Sequence, residues 1–377
     1  MEPQPQPHNN YVALIIGVTG LTGVSLAEAL SRPDCLGGPW KVYGASRRPL
    51  PAWFSPSLLH HYITLDALDT EDTRAKLSPI AHEVTHVFWV TFQIREDEET
   101  NVAMNGTMLT NVLNVLRSSP SPRLHHVTIQ TGTKHYMGPI NDPVRSRHLA
   151  SHDPPFHESM PRLPYPNFYY ALEDLVASYA PSLTYSVHRA SIIIGASTRS
   201  THNALLMLAA YAAVCRHEGL PFRYPGTRYT WEHFCDMIDA GVLAEQHVWA
   251  AVTPQAKNEA FNCTNGDFFT WKKMWKVLSE EFDVEFVDYK EEDDFDIVEM
   301  MSHKGEVWEE IVEKHGLYKT KLEEIACYPP FKVVANFKFQ HVSSMNKSKE
   351  FGFLGFADSF KSVRKWVARL RHMKIIP

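Results

Sequence analysis

Three glycines recur at three-residue intervals in Gly17-Val-Thr-Gly20-Leu-Thr-Gly23, between the apolar run Tyr11-Val-Ala-Leu-Ile-Ile16 and a segment of helical periodicity at 24–30. In a strand–turn–helix setting such glycines permit a tight turn. They also let the backbone approach a pyrophosphate at the helix N-terminus, where amide groups and the helix dipole favour anions. Ser46-Arg47-Arg48 closes a second β-prone run at 41–45. A site for NAD usually has an acidic residue there to accept from the ribose hydroxyls; two guanidinium groups suit a 2′-phosphate instead, which points to NADPH. Asp66, after a short run at 62–65, is placed to take the adenine amino group.

Proton chemistry is the second requirement. Short-chain dehydrogenases usually carry Tyr-x-x-x-Lys, because residues i and i+4 share one face of a helix and the lysine tunes the tyrosine. In Asn167-Phe-Tyr169-Tyr170-Ala-Leu-Glu173-Asp174 an acid stands four residues after either tyrosine. The literal match, Tyr328-Pro-Pro-Phe-Lys332, has two prolines between the partners, which are expected to prevent a regular helical turn. It also lies far beyond the nucleotide-binding elements. Lys134, in Gln130-Thr-Gly-Thr-Lys134-His-Tyr-Met-Gly138-Pro, follows the carboxyl end of a strand at 124–130, the edge at which ligands bind in such sheets. Whether it meets Tyr169 in space is left open by the residues alone.

The elements that must position these groups follow from periodicity. Strands at 11–16, 41–45, 62–65, 86–90 and 124–130 alternate with helices at 24–30 and 101–117, which predicts a doubly wound α/β fold with a parallel Rossmann sheet. Past residue 190 helical patterns dominate, at 203–217, 231–252, 270–282 and 307–315, with a basic helix at 360–373. The expected layout is a disordered tail at 1–10, an NADP-binding Rossmann domain at 11–190, and a mostly helical substrate-binding and lid region at 191–377, partly interleaved with the first. Trp271 and Trp275 are read as core or lid packing, and the acidic stretch 291–294 as a solvated turn.

With 44% hydrophobic and 21% charged residues in 377, the composition is that of a globular protein. The 37 basic against 43 acidic residues give a net charge of −6, which leaves no global basic field for nucleic acid or an anionic membrane. Cys35, Cys215, Cys235, Cys263 and Cys327 form no Cys-x-x-Cys pair, so reduced thiols are expected rather than a disulfide framework or zinc cluster. The 20 histidines show no His-Glu-x-x-His spacing, and no metal site is expected. Residues 1–10 are polar and Pro-rich, unlike a signal peptide, and the run at 204–214 falls short of the roughly 20 residues that span a membrane. A soluble cytoplasmic protein is expected, in which the sequons at Asn105 and Asn262 would be unused.

A set of longer strings carries a resemblance. Gly-Val-Thr-Gly-Leu-Thr-Gly, Gly38-Pro-Trp-Lys-Val-Tyr-Gly, Ser46-Arg-Arg-Pro, Gln130-Thr-Gly-Thr-Lys-His-Tyr-Met-Gly-Pro, His152-Asp-Pro-Pro-Phe, Asn167-Phe-Tyr-Tyr and Ser344-Met-Asn-Lys-Ser-Lys-Glu occur in order along the chain. Together the chain resembles the plant progesterone 5β-reductase/iridoid synthase family of extended short-chain dehydrogenases. The resemblance implies NADPH-dependent 1,4-reduction of the C=C bond of enones and enals, on 3-oxo-Δ4-steroids, small enones or 8-oxogeranial. It implies that the displaced lysine is a family trait, with Lys134 and Tyr169 as the catalytic pair. It places Gly17, Thr19, Gly20, Leu21, Gly23, Arg47, Arg48, Asp66, Ala67, Thr91, Gln130, Tyr169, Ile193 and Ser200 along the cofactor, and Phe92, Met137 and Tyr169 along the substrate. A homodimer is compatible with it.

Departures from the family pattern cluster where substrate is expected. Phe92 stands where tryptophan is common, Ala190 and Ala196 replace proline and phenylalanine, Thr201-His202 replaces two apolar residues, and Cys327-Tyr-Pro-Pro330 replaces a tryptophan-rich lid segment. The pocket has lost aromatic bulk and gained polar groups. Two alternatives stand beside the enone reductase: reductive cyclisation of 8-oxogeranial, and an NADPH-binding regulator without turnover.

Overall fold

The computed structural model describes residues 11–140, 142, 145, 148–291 and 295–377; the expected tail and residues 292–294 of the acidic turn lie outside these. Its strands are β1 (Val12–Ile16), β2 (Lys41–Ser46), β3 (His61–Thr64), β4 (His86–Trp89), β5 (His126–Gly132), β6 (Thr184–Ala190), β7 (Ile192–Ile194), β8 (Phe234–Cys235), β9 (Met237–Asp239), β10 (Glu259–Cys263) and β11 (Phe269–Thr270). Seven of them form one sheet in the order β10-β6-β5-β4-β1-β2-β3, parallel throughout. The chain order reverses beside β1, which is flanked by β2 and β4, so the crevice for a ligand opens beyond the carboxyl ends of β1 and β4.

β1 is buried along its whole length, as its uninterrupted apolar run requires. Val12, Leu14 and Ile16 join a core with residues of α2 (Thr70–Leu77), α3 (Glu98–Arg117) and α5 (Phe168–Ala177). Ala13 and Ile15 face the opposite core, with α1 (Leu21–Ser31) and α8 (Ala240–Val252). Between α5 and α8 in the chain lie α6 (Ala204–Glu218) and α7 (Arg228–Glu232), and the short α4 (Lys134–Met137) follows β5. The late segment returns to the main sheet: β10 pairs with β6, and α8 packs on α1.

A third core surrounds α6, which is buried from Ala204 to Cys215 and so is a central rather than a surface helix. Trp271 and Trp275 of α9 (Trp271–Phe282) belong to it, and Trp275 stacks on Phe222 at 4.3 Å. Among the described residues no helix is long and apolar enough to cross a membrane.

Two sequence expectations need correction. The continuous helix at 231–252 is broken by β8 and β9, and α8 begins only after Asp239, whose carboxylate accepts from the Gly241 N–H as an N-cap. The two prolines after Tyr328 do not prevent a helix: Tyr328–Ala335 is helical, with proline in the first turn, where its missing N–H has no partner to lose. Tyr328 and Lys332 are nevertheless no pair. The Tyr328 hydroxyl is buried and donates to the Met207 carbonyl at 3.1 Å, whereas Lys332 pairs with Asp296 near the surface.

Candidate active site

The glycine turn is shaped by close contacts. Gly17 has φ of +97°, and a Cβ there would lie 2.9 Å from Thr91 Cβ, so the loops after β1 and β4 touch at the reversal point. A Cβ on Gly23 would lie 2.2 Å from the Gly17 carbonyl, packing the helix against its own turn. Gly20 is the N-cap of α1; no side chain caps that helix, and its first turn contains no acidic residue. Its amides and dipole are thus available to an anion. Leu21 and Thr19 are buried beside the turn.

Hydrogen bonds bind three loops into one wall. The Gly17 N–H donates to Ala45 O at 2.8 Å, and the Thr19 hydroxyl meets Ser46 Oγ at 3.1 Å. Ser197 donates to Thr19 O at 2.7 Å and accepts from the Arg199 N–H at 2.9 Å. Arg47 and Arg48 are exposed beyond β2. Although exposed, the Arg48 guanidinium is partly desolvated, which lowers its pKa, followed by the charges of Arg199 and Arg47, ahead of the opposing Glu324. Arg199 is therefore a third cation at this place, missed in the sequence because it follows a different strand. Asp66 accepts from the Leu68 N–H at 3.1 Å, and Ala67 is buried beside it. Ile193 lies half-buried in β7, and Ser200 half-buried in the loop before α6. At the carboxyl end of β5, Gln130 Oε1 and Thr131 Oγ1 are buried without a hydrogen-bond partner in the protein.

On the other side of the crevice, α5 presents Tyr169 and Tyr170 to different neighbours. Tyr170 donates to His135 O at 2.6 Å and accepts from the Leu163 N–H at 3.1 Å; Tyr165 donates to Lys134 O at 2.8 Å. These tyrosines clasp the first turn of α4, which carries Lys134. Thr133, one residue earlier, is held from behind by His341 at 2.8 Å. The Tyr169 hydroxyl lies against β5, where a Cβ on Gly132 would approach it to 3.2 Å. Burial raises its pKa, and the Glu98 charge raises it further.

Lys134 and Tyr169 share this site without bonding to each other. The Lys134 ammonium pairs with Glu98 Oε2 at 2.6 Å and stands 5.0 Å from the Phe168 ring centroid. Glu98, the first residue of α3, is the neighbour of Lys134 that sequence reasoning missed; the expected helix began three residues later. Its other oxygen accepts from the Phe168 N–H at 2.8 Å, at the start of the Tyr169 helix. The acid at Glu173, which breaks the usual tyrosine–lysine spacing, points elsewhere. Burial opposes its ionisation, but the contact with His135 at 3.4 Å and the charge and paired hydrogen bonds of Arg189 hold it down to about 2.

Of the expected substrate residues, Phe92 lies between Phe168 and His202, each at 6.0 Å between ring centroids. Met137 is buried in a cluster with Tyr136, Phe156 and Phe337. His202 is exposed beside Phe92.

Comparison with known proteins follows this geometry. A family model described as a PRISE-like Rossmann-fold domain matches residues 57–377. A 3-oxo-Delta(4,5)-steroid 5-beta-reductase of Arabidopsis thaliana is 47% identical, over 100% of this chain and 96% of its own. An (S)-8-oxocitronellyl enol synthase of Camptotheca acuminata is 48% identical, over 97% and 93%. Among solved structures, a Thermus thermophilus UDP-glucose 4-epimerase in complex with NAD aligns with a TM-score of 0.62 at 14% identity, over 96% of this chain and 99% of that one. An epimerase of Methanothermobacter thermautotrophicus gives 0.65 at 13% identity, over 98% and 95%. At such identities the structures establish the fold alone.

Proposed function

Because this chain belongs to the progesterone 5β-reductase/iridoid synthase family of PRISE-like Rossmann-fold proteins, we propose that it reduces the C=C bond of enones and enals with NADPH. The observation that carries the reading is the pairing of a glycine turn and arginine cluster with a protonated phenol across one crevice.

The residues present fit a dinucleotide. The uncapped α1 N-terminus suits a pyrophosphate, Arg47 and Arg48 suit a 2′-phosphate, and the unpartnered Gln130 and Thr131 oxygens lie at the β5 edge. When bound, the nicotinamide supplies hydride to the substrate β-carbon. Negative charge then develops on the carbonyl oxygen. A phenol pushed upward by burial stays protonated at neutral pH, so Tyr169 acts as a hydrogen-bond donor to that oxygen rather than as a base. The stabilisation grows as the enolate forms, which lowers the barrier rather than merely tightening substrate binding. Lys134 adds positive potential at the same edge and is placed to meet the ribose. Solvent protonates the α-carbon of a simple enone, whereas an enolate from 8-oxogeranial can leave and cyclise.

Relatives named for both reactions stand at equal distance, 47% and 48% identity, so the 8-oxogeranial reading accompanies the first. The test is NADPH oxidation with 2-cyclohexen-1-one, progesterone and 8-oxogeranial. Saturated products from at least one support the proposal; binding of NADPH without oxidation by any of them supports a regulator.

A further inference from the structure

Of the four consecutive acids at 96–99, the last three stand at the cap and first turn of α3 and do different work. Asp97 caps the helix by accepting from the Thr100 N–H, the ordinary task of an acid at that place. Glu99 pairs with Arg145 in solvent. Glu98 alone turns inward: its side chain is 16% exposed, that of Lys134 only 14%. One carboxylate oxygen takes the Lys134 ammonium, and the other takes the N–H of the residue before Tyr169.

We propose that Glu98 is the positioning residue of the active site, a single carboxylate that fixes the Lys134 ammonium and the first turn of the Tyr169 helix in one frame. The inference rests on the reading of Lys134 and Tyr169 as the reacting pair. A buried ion pair is a poor way to gain stability, since desolvation offsets much of the attraction, and an apolar pair would pack as well. What the carboxylate adds is geometry and counter-charge at once. Lys134 is fixed twice, by Glu98 at its ammonium and by Tyr165 at its carbonyl, while Asn167 accepts from the Tyr169 N–H at 3.0 Å.

The counter-charge has its own consequence. Burial lowers the Lys134 pKa and Glu98 opposes that shift. Other titratable groups around the pair are Tyr165 and Tyr169 from the α5 side, His135 bound towards Glu173, and Arg145 with Glu99 on the outer side. Without the Glu98 charge the lysine loses its proton at lower pH.

Glu98→Gln is the informative variant, because it keeps an acceptor for the Phe168 N–H and removes only the charge. The NADPH dissociation constant, followed by fluorescence, is expected to stay near that of the parent, whereas the melting temperature should fall, because the Lys134 ammonium is left buried without its counter-charge. Turnover should fall by about tenfold or more, within the range that loss of alignment at a reacting centre produces. The alkaline limb of the kcat profile should move to lower pH, and so should the onset of Lys134 acylation in the cofactor-free protein, read by peptide mapping. Glu98→Asp keeps the charge and should restore both pH onsets while turnover stays reduced; it also serves if the glutamine variant fails to fold. Parental turnover together with unshifted onsets in Glu98→Gln would overturn the proposal. Tyr169→Phe and Lys134→Ala are assayed in parallel: if they are fully active, the reading beneath it fails, and if only they are impaired, the positioning role alone fails.

Discussion

At the β2 end of the crevice Arg47 and Arg48 stand exposed, with Arg199 as the foremost charged neighbour of Arg48; at the β5 end Lys134 is enclosed with one carboxylate beside the Phe168 ring. Both ends are cationic, yet they suit opposite tasks. Like charges held together in solvent repel until an anion arrives, so that end is built to bind, and to bind less as salt rises. An ammonium already paired in a confined place gains little from another anion. Its position and charge are fixed in advance, which is what a reacting centre requires.

The largest effect should come from the lysine end. Tyr169→Phe removes the hydrogen-bond donor and is expected to lower turnover by roughly 10²- to 10⁴-fold while NADPH affinity, measured by fluorescence titration, stays near the parent value. Unchanged turnover would remove Tyr169 from the chemistry. The arginine end should show the converse. Arg47→Ala with Arg48→Ala should weaken NADPH by about 10- to 100-fold, as loss of charge-assisted bonds to a phosphate implies, and NADH far less. Equal weakening of both cofactors would erase the contrast between the two ends.

Acid tests the body of the fold rather than either end. His126 on β5, His188 on β6, His247 on α8 and His341 against Thr133 are all held neutral by burial; His188 and His341 are pushed down to about 4, and His86 on β4 to about 3. In the unfolded chain histidine takes up a proton near pH 6.5. The stability these residues contribute is therefore present above pH 6.5 and lost as pH falls towards 4, by at most about 1.4 kcal/mol per pH unit for each proton. Asp236, raised to about 7 by burial, works in the opposite direction as a single group. A melting temperature that does not fall between pH 6.5 and 4 would refute this.

The smallest effect is expected from the neighbouring tyrosine. Tyr170→Phe leaves the His135 carbonyl and the Leu163 N–H without their partner, a loss of about 1–3 kcal/mol in denaturant melts, and only a modest change in kcat. A loss of turnover as deep as that of Tyr169→Phe would show that the two tyrosines do not divide their roles as described.

What could be read beforehand depended on how local each feature is. β1, the glycine turn, α1 and Arg47-Arg48 lie within one strand–turn–helix–strand unit, and periodicity with residue type identified them. Glu98 could not be found this way. Its partners Lys134 and Phe168 lie on other elements, and in the sequence it is one of several acids before a helix, a common pattern for dipole reasons alone. Arg199 was hidden for the same reason, reaching Arg48 only through the fold. The break at β8 and β9 escaped because Asp239 between two apolar runs reads as a polar position of an amphipathic helix until its cap is seen.

The central claim concerns which bond receives the hydride. With 2-cyclohexen-1-one and NADPH carrying deuterium at the transferred position, the account predicts cyclohexanone labelled at the former β-carbon and no allylic alcohol. Label on a carbinol carbon would contradict it.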